Sequence, residues 1–340
     1  MNSVLMAGTV SAASAAQMAV HPLEWGILAV VVIGLLGFDL VSHVRKQHEP
    51  SMKESAGWLG FYVALALVLG LYLMWQHAPE FGVQFYSSYF TELSLSVDNI
   101  FVFIIIMGSF AVPRKYEQKV LFWGIIIALL LRLVFILAGA ALIARFSWVF
   151  FIFAAFLIYT AIKQAREGTG EEEETEETTH NENGFVKLVR RFYPVADHFT
   201  DDSARTLNPA TGRKELTPYI LCIMAIGGAD LMFALDSIPA SFGLTQQPLI
   251  IFAANAFALM GLRQMFFLVD GLLNRLVYLH YGLAVILGFI GLKLVVEACH
   301  AYGWLTVIPA FSPLSSLAVI MVVLVITVVA SWLKQRSTEK

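Results

Sequence analysis

Two acidic pairs interrupt otherwise apolar stretches of this chain. Glu92 and Asp98 stand six residues apart in Glu92-Leu-Ser-Leu-Ser-Val-Asp98-Asn99, and Asp230 and Asp236 repeat that spacing in Asp230-Leu-Met-Phe-Ala-Leu-Asp236-Ser237. An acid at the centre of a bilayer costs roughly 2.5–3.5 kcal/mol on insertion scales, so four of them would cost ~10 kcal/mol without compensation. Protonation, pairing with arginine, or a bound cation would each supply it. Arg132 and Arg263 are the arginines at hand, one in the span after each acidic pair, flanked by Leu131 and Leu262. Two arginines cannot neutralise four carboxylates, and each arginine needs only one partner, so buried oxygen ligands are left over. Asn99 and Ser237 follow directly as neutral oxygen donors. Such donors suit hard cations (Mg²⁺, Ca²⁺ or Mn²⁺), while the lack of paired Cys or His in these spans argues against copper or a thiolate zinc site. On chemistry alone three readings stay open: cation handling, a proton relay, and purely structural ion pairs.

Geometry adds a condition. Six steps of about 100° separate the two acids of a pair by about 120° around an ideal helix. Both reach one ion only if the helix breaks between them, which would also free backbone carbonyls as ligands. Ser94-Leu-Ser96 and Ile238-Pro239 would permit such breaks. Two accessory candidates are weaker. Asp39, in Gly37-Phe-Asp39-Leu, is either an entrance ligand or an ordinary interfacial acid; Asn255, like Asp270, is either a supporting or a structural polar group. Lys293 and Glu297, one turn apart, are expected to pair. His43, His48 and His77 fall in loops without ligand spacing.

The elements that must hold these residues are membrane helices. Of 340 residues, 58% are hydrophobic and 14% charged, with a mean hydropathy of +0.73; a soluble domain carries roughly 25% charged residues. Apolar runs are expected as helices at 24–42, 57–76, 83–110, 117–143, 147–165, 217–238, 248–268, 279–297 and 314–333, and about twenty such residues cross ~30 Å of hydrocarbon. The third run exceeds a straight crossing, so it is tilted, broken or extended beyond the bilayer. Basic residues collect in alternate loops: Arg45, Lys46 and Lys53; Arg114, Lys115 and Lys119; the central linker; Arg275; and Lys334, Arg336 and Lys340. The other loops hold only Arg145. Positive charge marks the cytoplasmic side, which puts the N-terminus outside and the C-terminus inside. The net charge of −3 says little beside this pattern. Cys222 and Cys299 lie in or beside apolar runs and imply no disulfide framework.

The organisation follows. Residues 1–23 are read as an extracytoplasmic tail, the alternative being a cleaved signal peptide, against which the missing basic start argues, and 24–76 supply two leading spans. Units 83–165 and 217–297 each contain three spans, an acidic pair, an arginine and a late lysine (Lys163 or Lys293). Three is odd, so the second unit enters the membrane from the opposite side: an inverted repeat, with a site expected at the repeat interface near midplane. Between the units, 166–216 is a cytoplasmic linker with an acidic run, Glu171 to Glu177, read as solvated. Its Phe185 to Tyr193 segment suits a short helix at the inner surface. A final span, 314–333, and a cytoplasmic tail, 334–340, complete an all-α polytopic membrane protein.

Ser94-Leu-Ser-Val-Asp98-Asn99-Ile-Phe-Val-Phe103 and Phe233-Ala-Leu-Asp236-Ser237-Ile-Pro-Ala240 resemble the paired signatures of the TerC family, which includes the Alx-type manganese exporters. Asn255 to Arg263 and Tyr281 to Lys293 are similar to family segments as well, and the resemblance runs from about residue 24 to 300. It implies efflux of Mn²⁺, or tellurite resistance in some members, with Glu92, Asp98, Asp230, Asp236 and Asp39 at family acidic positions. One departure stands out: where relatives often carry a glutamate three residues before the position of Asp230, this chain has Gly227, followed by Gly228. The expectation is therefore a secondary transporter in a bacterial plasma membrane that exports a divalent cation, Mn²⁺ first. Its ligands would be Glu92, Asp98, Asn99, Asp230, Asp236 and Ser237, with proton exchange at the same carboxylates driving release. It is read as no enzyme, with no cofactor beyond the transported ion and no nucleic-acid partner; no P-loop marks an ATP pump. The alternative is a membrane scaffold, working through the linker as a homo-oligomer or with partners in stress resistance or membrane protein insertion.

Overall fold

In hydrocarbon every backbone N–H and C=O must be bonded within the protein, which makes helices of apolar runs this long. The computed structural model describes residues 18, 20–41, 51–110, 112–146, 148–167, 205–207, 214–269, 278–302 and 311–338. Among them are nine helices long and apolar enough to span a membrane, and the protein is an all-α polytopic membrane protein. They are α1 (Pro22–Asp39), α2 (Met52–Gln76), α3 (Pro79–Ser109), α4 (Arg114–Arg145), α5 (Val149–Glu167), α6 (Pro218–Leu244), α7 (Pro248–Val269), α8 (Leu279–Ala301) and α9 (Pro313–Thr338). Each overlaps one of the nine expected runs. Local chemistry sets the starts. Five helices begin on proline, whose fixed φ and missing N–H suit the first turn. His21 and Glu24 cap α1 reciprocally, and the Ser51 hydroxyl caps α2 by accepting from the Glu54 amide.

α7 is the centre of the bundle. Its spanning segment is buried throughout, enclosed by α2, α3 and α4, as befits a helix apolar all round. α1, α2 and α9 lie outermost and turn Val30, Val68, Leu71, Val325 and Val328 outward. Each helix of the first unit packs on its counterpart in the second: α3 on α6, α4 on α7 and, most extensively, α5 on α8. The Gln84 side chain, near the start of α3, accepts a hydrogen bond from Thr245 at the end of α6. α3 and α6 are therefore antiparallel, as inverted units require.

Neither acid-bearing helix is broken. α3 runs through 31 residues and α6 through 27, with Pro239 accommodated inside. The Ser94 hydroxyl bonds back to the Phe90 carbonyl within the helix rather than opening it. At 1.5 Å per residue α3 is about 46 Å long, which accounts for the excess length of the third run. α4 and α6 approach closely through reciprocal glycines. A Cβ on Gly124 would lie 2.6 Å from Ile226 Cγ2, and one on Gly227 2.8 Å from Ile127 Cγ2. Gly227 thus serves packing here; Gly228 meets no neighbour.

The linker holds a short hairpin that the sequence reading lacked: β1 (Arg205–Leu207) pairs antiparallel with β2 (Lys214–Leu216), Thr206 opposite Glu215. The acidic run, the expected surface helix at 185–193, Asp270, Arg275 and the first seventeen residues lie outside the described residues. So do the side chains of Asp98 and Glu297.

Candidate cation site at the centre of the bundle

The buried face of α4 is made by Leu121, Ile125, Ala128, Arg132 and Ile136, at steps of three and four, while Leu130, Val134 and Leu137 face outward. Arg132 therefore points into the protein, and it is wholly inaccessible to solvent. On α3 the buried face reads Phe81, Phe85, Ser88, Glu92, Ser96, Asn99 and Phe103, which brings Glu92 to the same place. On α6, Asp230 and Ser237 are seven residues apart, nearly two full turns, so they share one face. From α7 comes Asn255, its amide nitrogen donating to the Ile251 carbonyl at 3.0 Å, which aims the amide oxygen inward.

All four converge on the Arg132 guanidinium. Nε and Nη2 donate to the two oxygens of Asp230 at 2.9 and 3.1 Å, a bidentate pair. Nη1 donates to Glu92 Oε1, to Asn255 Oδ1 and, at 3.3 Å, to Ser237 Oγ. Glu92 Oε2 has no partner within the protein. One guanidinium faces two carboxylates, so with both ionised the cluster carries one excess negative charge. The expectation of one carboxylate per arginine fails here: Arg132 holds two, because both acids lie on buried faces that meet at α4.

The other sequence candidates are placed as follows. Asp236 does not join the centre. It stands about 120° round α6 from Asp230, on the flank of outward-facing Met232, and is half-buried. Thr160 of α5 places its hydroxyl 3.4 Å from Asp236 Oδ1 and 3.0 Å from the Phe156 carbonyl. With α6 unbroken, Asp230 and Asp236 cannot share an ion. Asn99 is buried on α3, and nothing is described of the Asp98 side chain. Asp39 is buried and accepts from Arg263 of α7 and, at 3.3 Å, from Tyr62 of α2. It forms an ion pair between α1 and α7, and Arg263 Nη1 has no hydrogen-bond partner within the protein. Lys293 donates to Ser316 of α9 at 3.3 Å. Among the described residues no three His, Cys, Asp or Glu side chains converge; two carboxylates with neutral oxygens do.

Sequence reading missed Tyr62, Thr160 and the Gln84–Thr245 contact. Tyr62 and Thr160 lie in apolar runs where a lone hydroxyl carries no spacing signal. The four-residue step from Gln84 through Ser88 to Glu92 was a signal that could have been read.

The family model described as integral membrane protein TerC family matches residues 77–339. An uncharacterized membrane protein of Mycobacterium tuberculosis is 44% identical over 278 residues, covering 82% of this chain and 69% of its own length. One from Myxococcus xanthus is 38% identical over 312 residues, 92% of each chain. Alx of Escherichia coli K12, named as a proposed membrane-bound redox modulator, is 34% identical over 327 residues, 93% of this chain and 96% of its own. No solved structure matches.

Proposed function

The chain belongs to the TerC family of integral membrane proteins, and from that premise we propose that it exports a divalent cation, manganese first, across a bacterial plasma membrane. The observation that carries this reading is the cage around Arg132. Oxygens of Glu92, Asp230, Ser237 and Asn255, from three helices, already surround one cationic group in a site closed to solvent. The guanidinium occupies the place a metal ion would take. If Arg132 swings aside, the two carboxylates balance a divalent ion's charge, whereas a monovalent ion would leave the excess negative charge in place. Carboxylate, amide and hydroxyl oxygens favour hard cations. Manganese among them comes from the family resemblance. Arg132 then acts as the internal counter-ion of the unloaded site, and loading exchanges one cation for another.

The ligands in this reading are Glu92, Asp230, Ser237 and Asn255, with Asp98 and Asn99 one to two turns along α3 as a second station. Asp236 lies on the α5 side of α6 and belongs to a separate position. Protons competing for Glu92 and Asp230 would couple release to the proton gradient. Basic loops set the N-terminus outside and the C-terminus in the cytoplasm. The chain's two cysteines, Cys222 and Cys299, are free and buried, which gives the redox name of the Alx relatives no surface thiol to work through.

The test is cellular metal content, by elemental analysis, in cells lacking and then overexpressing the protein. Wild type is expected to lower manganese, while Glu92→Gln and Asp230→Asn, expressed to the same level, leave it unchanged. If wild type shifts no metal, export is wrong and the scaffold reading replaces it.

A further inference from the structure

One face of α3 carries polar side chains at Gln84, Ser88, Glu92, Ser96 and Asn99. Steps of four, four, four and three residues keep all five within about 120° of arc along about 22 Å of rise. Their hydrogen bonding is unusual. Ser87 and Ser94, off this face, bond back to the Val83 and Phe90 carbonyls in the ordinary way for a helical serine. Ser88 and Ser96 do not, although both are fully buried; neither hydroxyl has a partner within the protein. The same holds for the Thr91 and Tyr89 hydroxyls beside them and for Glu92 Oε2. Five such atoms lie within nine residues of one helix, where native proteins leave only a few unsatisfied groups per hundred residues. Buried polar groups in this condition are met in folded proteins by water. The row ends at half-buried Gln84, bonded to Thr245 where α6 leaves the bundle.

We propose that this face of α3, closed to solvent in this structure, hydrates as an exit path joining the carboxylate cage to the extracytoplasmic end of the bundle, along which the divalent ion leaves with hydroxyls replacing part of its water shell. Ser88 and Thr91 line the outer half, between Gln84 and Glu92. Ser96 lies on the far side of the cage and marks its inner approach. The path rests on the export reading for its cargo, not for its existence.

Accessibility tests it without transport. Ser88→Cys and Thr91→Cys are made singly and treated in spheroplasts with a membrane-impermeant cationic methanethiosulfonate. Wild type, with its two buried native cysteines, and Ala66→Cys, a fully buried position on α2, set the baseline. Both path variants are expected to react about tenfold or more faster than Ala66→Cys, since thiol reactivity follows solvent access. Millimolar Mn²⁺ should slow them. Reaction at the Ala66→Cys rate in both path variants, each present in membranes at the wild-type level, overturns the path. Reaction in inverted membrane vesicles but not in spheroplasts overturns its outward assignment, and labelling that Mn²⁺ leaves unchanged overturns passage of the ion. The export reading fails on a different readout, unchanged cellular manganese with wild type.

Discussion

Replacing Arg132 with methionine removes the cation of the central cage while keeping the length and apolar stem of the side chain. Asp230 loses both hydrogen bonds of its bidentate pair, and Glu92, already without a partner at Oε2, loses the one at Oε1. Removing one member of a buried ion pair costs about 3–5 kcal/mol, because the remaining charge stays buried and uncompensated. That is the expected loss in thermal unfolding of the detergent-solubilised protein. Manganese should restore much of it. A ligand that binds only the folded form at 100 times its dissociation constant adds about 2.7 kcal/mol. In wild type the ion must first displace the guanidinium, so its stabilisation is expected to be smaller than in Arg132→Met. Adding Glu92→Gln to the variant should abolish the manganese response. An Arg132→Met protein as stable as wild type, or one indifferent to Mn²⁺, Ca²⁺ and Mg²⁺ alike, would refute the view of Arg132 as the placeholder for a divalent ion.

Four further outcomes are expected. Asp236→Asn should impair manganese export less than Asp230→Asn in the cellular metal assay, because Asp236 faces Thr160 rather than the cage. Asp39→Asn strands the Arg263 guanidinium at the α1–α7 contact and should cost about 3–5 kcal/mol in thermal unfolding, whereas Tyr62→Phe, losing one 3.3 Å hydrogen bond, should cost about 0.5–1.5 kcal/mol. Gly227→Ala drives a methyl into Ile127 Cγ2 and should cost about 1–3 kcal/mol, as overpacking does; Ile127→Ala in the same chain should recover part of that loss. Ser237→Ala, which removes a 3.3 Å contact to Arg132 and a hydrogen bond to Glu92, should lower export less than Asn255→Ala, whose amide oxygen lies closer to the guanidinium and is held there by the bond to Ile251.

Hydropathy made all nine spans legible, since a bilayer leaves few alternatives to a helix of that length. Glu92, Asp230, Ser237, Asn255 and Arg132 were legible as candidates because polar groups in apolar runs demand partners. Their pairing was not. That Arg132 takes two acids, or that Asp39 belongs to Arg263 some 224 residues away, depends on which helices adjoin, and hydropathy is silent on neighbours. The 120° between Asp230 and Asp236 was computed from the sequence and persists; the broken helix invoked to overcome it does not occur. The β1–β2 hairpin went unread because strands of three residues are too short for any alternation to register.

The full enclosure of α7 bears on how the chain is made. α7 carries Arg263 and Asn255, and an arginine within a span costs up to roughly 2.5–3.5 kcal/mol, the figure for the helix centre, as the segment leaves the translocon. The chain is synthesised in an order that lightens this load: α2, α3 and α4 precede α7, so a berth with Tyr62, Glu92 and Arg132 on its walls is in the membrane before α7 emerges. Asp39 of α1 waits longest, held without its arginine through the synthesis of more than half the protein. A ribosome stalled before residue 248 would leave α1 to α6 with Glu92 and Asp230 already supplied with Arg132 but Asp39 still without Arg263.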